Sequence, residues 1–188
     1  MRTLALFISA SLDGYIARPD GGIDWLFVDQ DYGYSAFYAS IDTILLGRRT
    51  YDQMLTAGDF PYADKQCYVF SSRPLAWTAE HVSTVSVDAG EFITELKQGE
   101  GGKIWLVGGA ALIKTCLERD LIDEFVVSIH PLILGGGIPL FPSTESGRRL
   151  NLQSVKTFDT GLVQICYERS RKSPAHLHHL VGQAPAGA

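Results

Sequence analysis

The stretch Lys103–Lys114, KIWLVGGAALIK, decides how the chain is read. Ile104, Trp105, Leu106 and Val107 form a short apolar run of the length that suits a strand buried on both faces. Gly108 and Gly109 follow, and then Ala110, Ala111, Leu112 and Ile113 run on to Cys116, Leu117 and Leu121 at about helical spacing. The reading is strand, glycine turn, helix. The first N–H groups of a helix lack intrahelical partners, and the dipole there is positive. Two residues without Cβ atoms let a ligand approach that end, which suits a phosphate or pyrophosphate. A tight strand-to-helix connection of the kind any α/β protein contains explains the dipeptide equally well.

The 188 residues are enough for one domain with a substantial core. A hydrophobic share of 46%, a charged share of 20% and a net charge of -5 are those of an ordinary globular chain. The acidic balance and the lack of long Lys or Arg runs argue against nucleic acid and membrane surfaces as partners. Cys67, Cys116 and Cys166 lie far apart in apolar stretches, so they read as reduced core thiols of a cytoplasmic protein. The opening MRTLALFISAS reads as a first strand and not as a signal peptide, because its short apolar run meets Asp13-Gly14, a turn signal. No run approaches the roughly 20 apolar residues of a membrane span.

Moving outward from the glycine turn, strands are expected at Leu4–Leu12, Asp42–Leu46, Cys67–Phe70, from Val82 to Val87, and at Ile122–Ile129. Tyr34, Phe37, Tyr38 and Ile41 share one face of a short helix. Arg48 opens another helix, carrying Tyr51, Met54 and Leu55. Asp88 and Glu91 have the spacing of a capping box before a helix over Phe92–Lys97. Leu134 to Pro142 is a loop, and Leu150–Phe158 with Leu162–Arg169 makes an antiparallel hairpin around Asp159-Thr160-Gly161. Residues 1–170 are expected to form one domain and 171–188 a mobile tail.

Three of these strands end in small or basic residues: Gly47-Arg48-Arg49-Thr50, Ser71-Ser72-Arg73 and Gly108-Gly109-Ala110. Open α/β sheets bind ligands beyond the carboxyl ends of their strands. Guanidinium groups, hydroxyls and a helix N-terminus together fit an anion with several phosphates. A 2′-phosphate on an adenosine ribose would account for the arginines and serines. Other constellations are weaker. His176, His178 and His179 have metal-ligand chemistry but lie in the tail, so no metal site is assigned. His130, before Pro131, reads as a strand-end residue, Trp105 and Tyr68 read as core, and no Ser-His-Asp or Cys-His spacing is visible.

FISASLDGYIA, DTILLGRRTY, VFSSRP and IWLVGGAALI, in this order and spacing, resemble the dihydrofolate reductase-like superfamily. PLILGGGIPLF, Pro131 to Phe141, resembles the branch of the riboflavin-biosynthesis reductase (RibD C-terminal) domain. The resemblance spans about residues 2–169. It implies an α/β, three-layer fold: a mainly parallel twisted sheet, flanking helices and an antiparallel C-terminal hairpin. It also implies NADPH as hydride donor, a small-molecule substrate and room for a homodimer. By position, Gly47, Arg48, Arg49 and Thr50 match a phosphate-holding turn, and Ser71, Ser72 and Arg73 a loop near the 2′-phosphate. Gly108, Gly109, Ala110, Ala111 and Leu112 match the pyrophosphate turn, while Ser9, Ile16 and Ala17 match residues beside the nicotinamide. Neither a Rossmann GxGxxG nor a P-loop is present.

The sequence departs from true folate reductases at the substrate. Those proteins carry an acid shortly after a Trp, at the head of the first helix. Trp25 fits the Trp and a substrate-binding role, but the place of the acid falls near Gln30, between Asp29 and Asp31. Asp31 is the first candidate for acid or anchor, Asp29 the second, and an Asp at a helix start is commonly just a cap. The implied activity is reduction of a pterin, an aminopyrimidine or a related heterocycle or imine, of the dihydrofolate or 5-amino-6-(5-phosphoribosylamino)uracil type. A cofactor-binding protein without catalysis, and an assembly protein using only the fold, are the alternatives.

Overall fold

A computed structural model describes residues 1–76, 78–144 and 147–170. The tail expected over 171–188, with its three histidines, lies outside the described residues. Ten strands and four helices follow one another: β1 Leu4–Ser11, β2 Tyr15–Ala17, α1 Tyr34–Ser40, β3 Ile41–Gly47, α2 Arg48–Ala57, β4 Gln66–Phe70 and β5 Val82–Val85. Then come α3 Ala89–Gln98, β6 Lys103–Gly108, α4 Ala110–Glu118, β7 Glu124–His130, β8 Ile138–Pro139, β9 Leu150–Thr157 and β10 Val163–Arg169. One eight-stranded sheet has the order β5-β4-β3-β6-β1-β7-β10-β9, and β2 with β8 forms a small second sheet. The six strands from β5 to β7 are parallel, whereas β10 and β9 join antiparallel. The expected α/β, dihydrofolate reductase-like architecture is therefore present.

Alternation along the buried strands builds three layers. Leu4, Leu6, Ile104 and Leu106 pack with Ile93 of α3 and with Leu112, Ile113 and Cys116 of α4. Trp105, Ile44, Leu46 and Val69 pack on the other face with Tyr51 of α2, joined by Phe37 and Tyr38 of α1. Trp105 is core as expected, and Tyr68 packs against the core on the other face, with its ring 5.0 Å from Phe92. Cys67 and Cys116 are buried and Cys166 is half-buried, and burial pushes the first two thiols up to about 12, so they stay protonated.

Several boundaries differ from expectation for physical reasons. Ile41 starts β3 instead of ending α1, because its side chain is needed in the core beneath Trp105. Asp88 accepts from the Glu91 N–H at 2.9 Å, and a cap at that point starts α3 at Ala89, three residues earlier than the apolar pattern. β7 begins at Glu124 and includes His130. β8, inside the expected loop, is two residues long, too short to leave a period, and it exists only through its pairing with β2.

Candidate functional site

All the parallel strands end at one edge of the sheet, and two of their turns meet there. β3 passes into α2 at Gly47 and β6 passes into α4 at Gly109. A Cβ on Gly47 would lie 3.2 Å from the Gly109 amide nitrogen, and a Cβ on Gly109 would lie 3.3 Å from Thr50 Oγ1. Gly108 has φ +120°, a conformation L side chains rarely adopt, and the Gly108–Gly109 peptide is cis. No side chain caps α4, so the N–H groups of Ala110 and Ala111 face outward, while the Leu112 side chain turns into the core.

The basic residues divide into two kinds. Arg48 is committed to structure: its Nε donates to Asp52 at 2.9 Å, and Nη1 donates to the Pro74 carbonyl at 2.9 Å and to Ser71 Oγ at 3.3 Å. Ser71 in turn donates to the Arg73 carbonyl at 2.6 Å, closing the loop after β4 onto the start of α2. Arg49, Ser72 and the Arg73 side chain are exposed and make no hydrogen bond to a described residue. Two free guanidinium groups, a free hydroxyl and an uncapped helix N-terminus at a glycine cradle fit a dinucleotide phosphate group of the NADPH kind.

Next to this edge is a cleft of about 320 Å³ on the face of β1 opposite α3 and α4. Its floor is Phe7 and Ser9 from β1 with Ser128 and His130 from β7, Ser9 and Ser128 being direct partners in the sheet. Phe27, Tyr32 and Tyr34 form walls, Val28, Gln30 and Asp31 form the rim, and Leu162 comes from the hairpin turn. Gln164, buried, donates to the Tyr32 carbonyl and to Ser128 Oγ, both at 3.0 Å, and so fixes the rim to the floor. Of the residues matched to the cofactor, Ser9 lines this cleft. Ile16 packs against the core, and Ala17 is buried in β2 beside β8.

Asp31 sits at the rim just before α1, two residues ahead of its N-cap Gly33. Its Oδ1 accepts from the Ser35 N–H at 2.8 Å and the Ser35 hydroxyl at 2.6 Å, and Oδ2 accepts from the Gly33 N–H at 3.1 Å. The Ser35 hydroxyl, then the backbone N–H groups, hold this exposed carboxyl below the usual range, so it is ionised at neutral pH. That is the form that anchors a positively charged group. Asp29 accepts from the Tyr32 hydroxyl at 2.7 Å, one residue behind the cleft wall.

His130 is the hub beneath the rim. Its Nε2 accepts the Phe27 N–H at 3.1 Å, which leaves the proton on Nδ1, 3.3 Å from the Ser128 carbonyl oxygen. Burial lowers its pKa against the opposing effect of that carbonyl, so the ring is neutral. Trp25 stands edge-on to His130 with ring centroids 5.1 Å apart and does not itself line the cleft. Its Nε1–H is buried without an acceptor among the described residues. The sequence reading passed over Phe7, Ser128, Gln164 and Leu162. Ser128 and Gln164 had a usable signal, each being polar within an otherwise apolar strand; Phe7 and Leu162 had none. No group of three or more His, Cys, Asp or Glu residues able to hold a metal occurs among the described residues. No described helix is long and apolar enough to cross a membrane.

The family model of the RibD C-terminal domain matches residues 2–164. The uncharacterized protein YwjB of Bacillus subtilis is 43% identical over 173 residues, covering 90% of this chain and 99% of that protein. A putative riboflavin biosynthesis protein from Shewanella sp. PV-4 superposes with TM-score 0.79 at 32% identity, covering 90% of this chain and 99% of the other. Two more distant structures share the fold. The diaminohydroxyphosphoribosylaminopyrimidine deaminase/5-amino-6-(5-phosphoribosylamino)uracil reductase of Thermotoga maritima has TM-score 0.70 at 16% identity, over 90% of this chain and 57% of that one. Dihydrofolate reductase from Enterococcus faecalis, complexed with NADP(H) and RAB-propyl, has TM-score 0.65 at 19% identity, over 89% of this chain and 96% of that one.

Proposed function

The chain belongs to the RibD C-terminal domain family, and we propose that it is an NADPH-dependent reductase of a small heterocyclic or imine substrate. The observation that carries this reading is the glycine cradle of Gly47 and Gly109, flanked by the free Arg49 and Arg73, beside an aromatic cleft. In this reading the N–H groups of Ala110 and Ala111 hold the pyrophosphate, and Arg49, Ser72 and Arg73 hold the 2′-phosphate. NADPH, when bound, supplies the hydride. The protein's own residues orient and enclose the acceptor: Phe27, Tyr32 and Tyr34 stack on it, Ser9 and Ser128 bond its heteroatoms, and His130 keeps the wall in place. Ionised Asp31 attracts positive charge developing on the acceptor ring, and water at the open rim delivers the proton. A binding protein without catalysis would share the cradle but would not turn over. Oxidation of NADPH, followed by its absorbance across a panel of pterins, aminopyrimidines and cyclic imines, tests the proposal. NADPH binding without oxidation by any of them would favour the non-catalytic alternative.

A further inference from the structure

The charges around the cleft select among the acceptors a reductase of this family could take. Asp31 is the charged residue among the described residues that line the cleft, and Asp29 stands behind it on the Tyr32 hydroxyl. Lys156, held over the Phe158 ring at 4.6 Å with Phe158 packed 4.8 Å from Tyr32, acts on the Asp31 carboxylate from outside the cleft lining, and no Lys or Arg lines the cleft among the described residues. The α1 N-terminus, the other place where an anion could be received, is filled by the Asp31 carboxylate on the N–H groups of Gly33 and Ser35. The free arginines serve the cradle of the other turns. A phosphate monoester needs cations or free N–H groups, and a cleft whose one charged lining residue is the Asp31 carboxylate disfavours it. Aromatic walls with Ser9, Ser128 and Gln30 as neutral donors and acceptors suit a flat ring bearing N and O atoms.

We propose that the cleft takes a planar, unphosphorylated nitrogen heterocycle, neutral or cationic, and discriminates against the phosphorylated form. This rests on the reductase reading and narrows it: a substrate of the 5-phosphoribosylamino type is excluded, while a free pterin, diaminopyrimidine or cyclic iminium is accepted.

The test uses the full chain and a matched pair of probes, 6-hydroxymethylpterin and its phosphate monoester, in calorimetric titrations with NADPH present. The alcohol is expected to bind about tenfold or more tightly than the ester, because the dianion meets the Asp31 carboxylate and no lining cation. Asp31→Asn, which caps nearly as well, should shrink that ratio by roughly threefold. An ester that binds as well as the alcohol overturns the proposal. So does failure of both probes to bind, or a ratio unchanged in Asp31→Asn. A titration with NADPH alone reports on the reductase reading separately. Absent NADPH binding with the alcohol still preferred would remove the reductase and leave the heterocycle site standing.

Discussion

Gly47 and Gly109 stand so close that a Cβ on the first would lie 3.2 Å from the amide nitrogen of the second. They are 62 positions apart in the chain and belong to different strand-to-helix turns. A side chain on either glycine would press on the other turn, which would have to give by a few tenths of an ångström. The space that results is the cradle to which the phosphate-binding proposal refers.

Gly109→Val tests that use. Gly109 has φ −77°, so its backbone accepts a side chain, but the new Cβ lies 3.3 Å from Thr50 Oγ1 and the Val methyls extend beyond it. We expect a stability loss of about 1–3 kcal/mol from overpacking and a loss of NADPH affinity of tenfold or more. Calorimetry with NADPH beside a urea melt separates the two effects. Unchanged affinity would move the pyrophosphate elsewhere.

The free arginines predict cofactor preference. A charge-assisted hydrogen bond contributes roughly 1.5–3 kcal/mol, so NADPH should bind at least about a hundredfold more tightly than NADH if two such bonds reach the 2′-phosphate. Arg49→Ala and Arg73→Ala should each weaken NADPH by about tenfold and leave NADH nearly unchanged. Equal effects on both cofactors would remove these residues from the 2′-phosphate. Arg48 should behave differently, since its bonds to Asp52 and Pro74 make its loss a structural one.

His130 predicts sensitivity to acid. Burial lowers its folded pKa below the ordinary 6.5, so the native state prefers the neutral ring that accepts the Phe27 N–H. The contribution is complete above 6.5 and is lost as pH falls below it towards the lowered folded value. Thermal melts from pH 7 to pH 5 should show the wild type losing more Tm than His130→Asn, whose side chain does not titrate. Parallel curves for the two proteins would show that the ring's titration does not matter to the fold.

Asp123 predicts a large stability effect far from the cleft. Its Oδ2 accepts from the Leu4 N–H at 2.8 Å and from Lys97 Nζ at 2.5 Å, and Oδ1 accepts from Arg169 at 3.1 Å. Lys97 is only 2% exposed, and its other acceptor is the Leu121 carbonyl. Asp123→Ala strands this ammonium and should cost about 3 kcal/mol in urea unfolding. Adding Lys97→Met should recover part of the loss, because a buried pair can be replaced by apolar side chains of similar volume. A double variant no more stable than the single one would contradict this account.

The sequence by itself determined the helices, the strands other than β8 and the turns between them, because each rests on neighbours in the chain. Apolar alternation, glycines after β3 and β6, and Asp88 three residues before Glu91 are local rules, and all are legible without coordinates. The resemblance added the mainly parallel course of the sheet and its antiparallel C-terminal hairpin; the strand order came from the structure. What only the tertiary structure decided lies in contacts between distant residues. The Phe27 N–H meets His130 across 103 positions, Gln164 reaches Tyr32 across 132, and Leu134 and Gly135 hang on Asp13 across more than 120. Such contacts leave no period in the sequence. Which arginine is free and which is tied, and why Lys97 is buried, follow from partners that the fold supplies. The charge of the cleft, and the acceptor it selects, could be read only after those partners were in place.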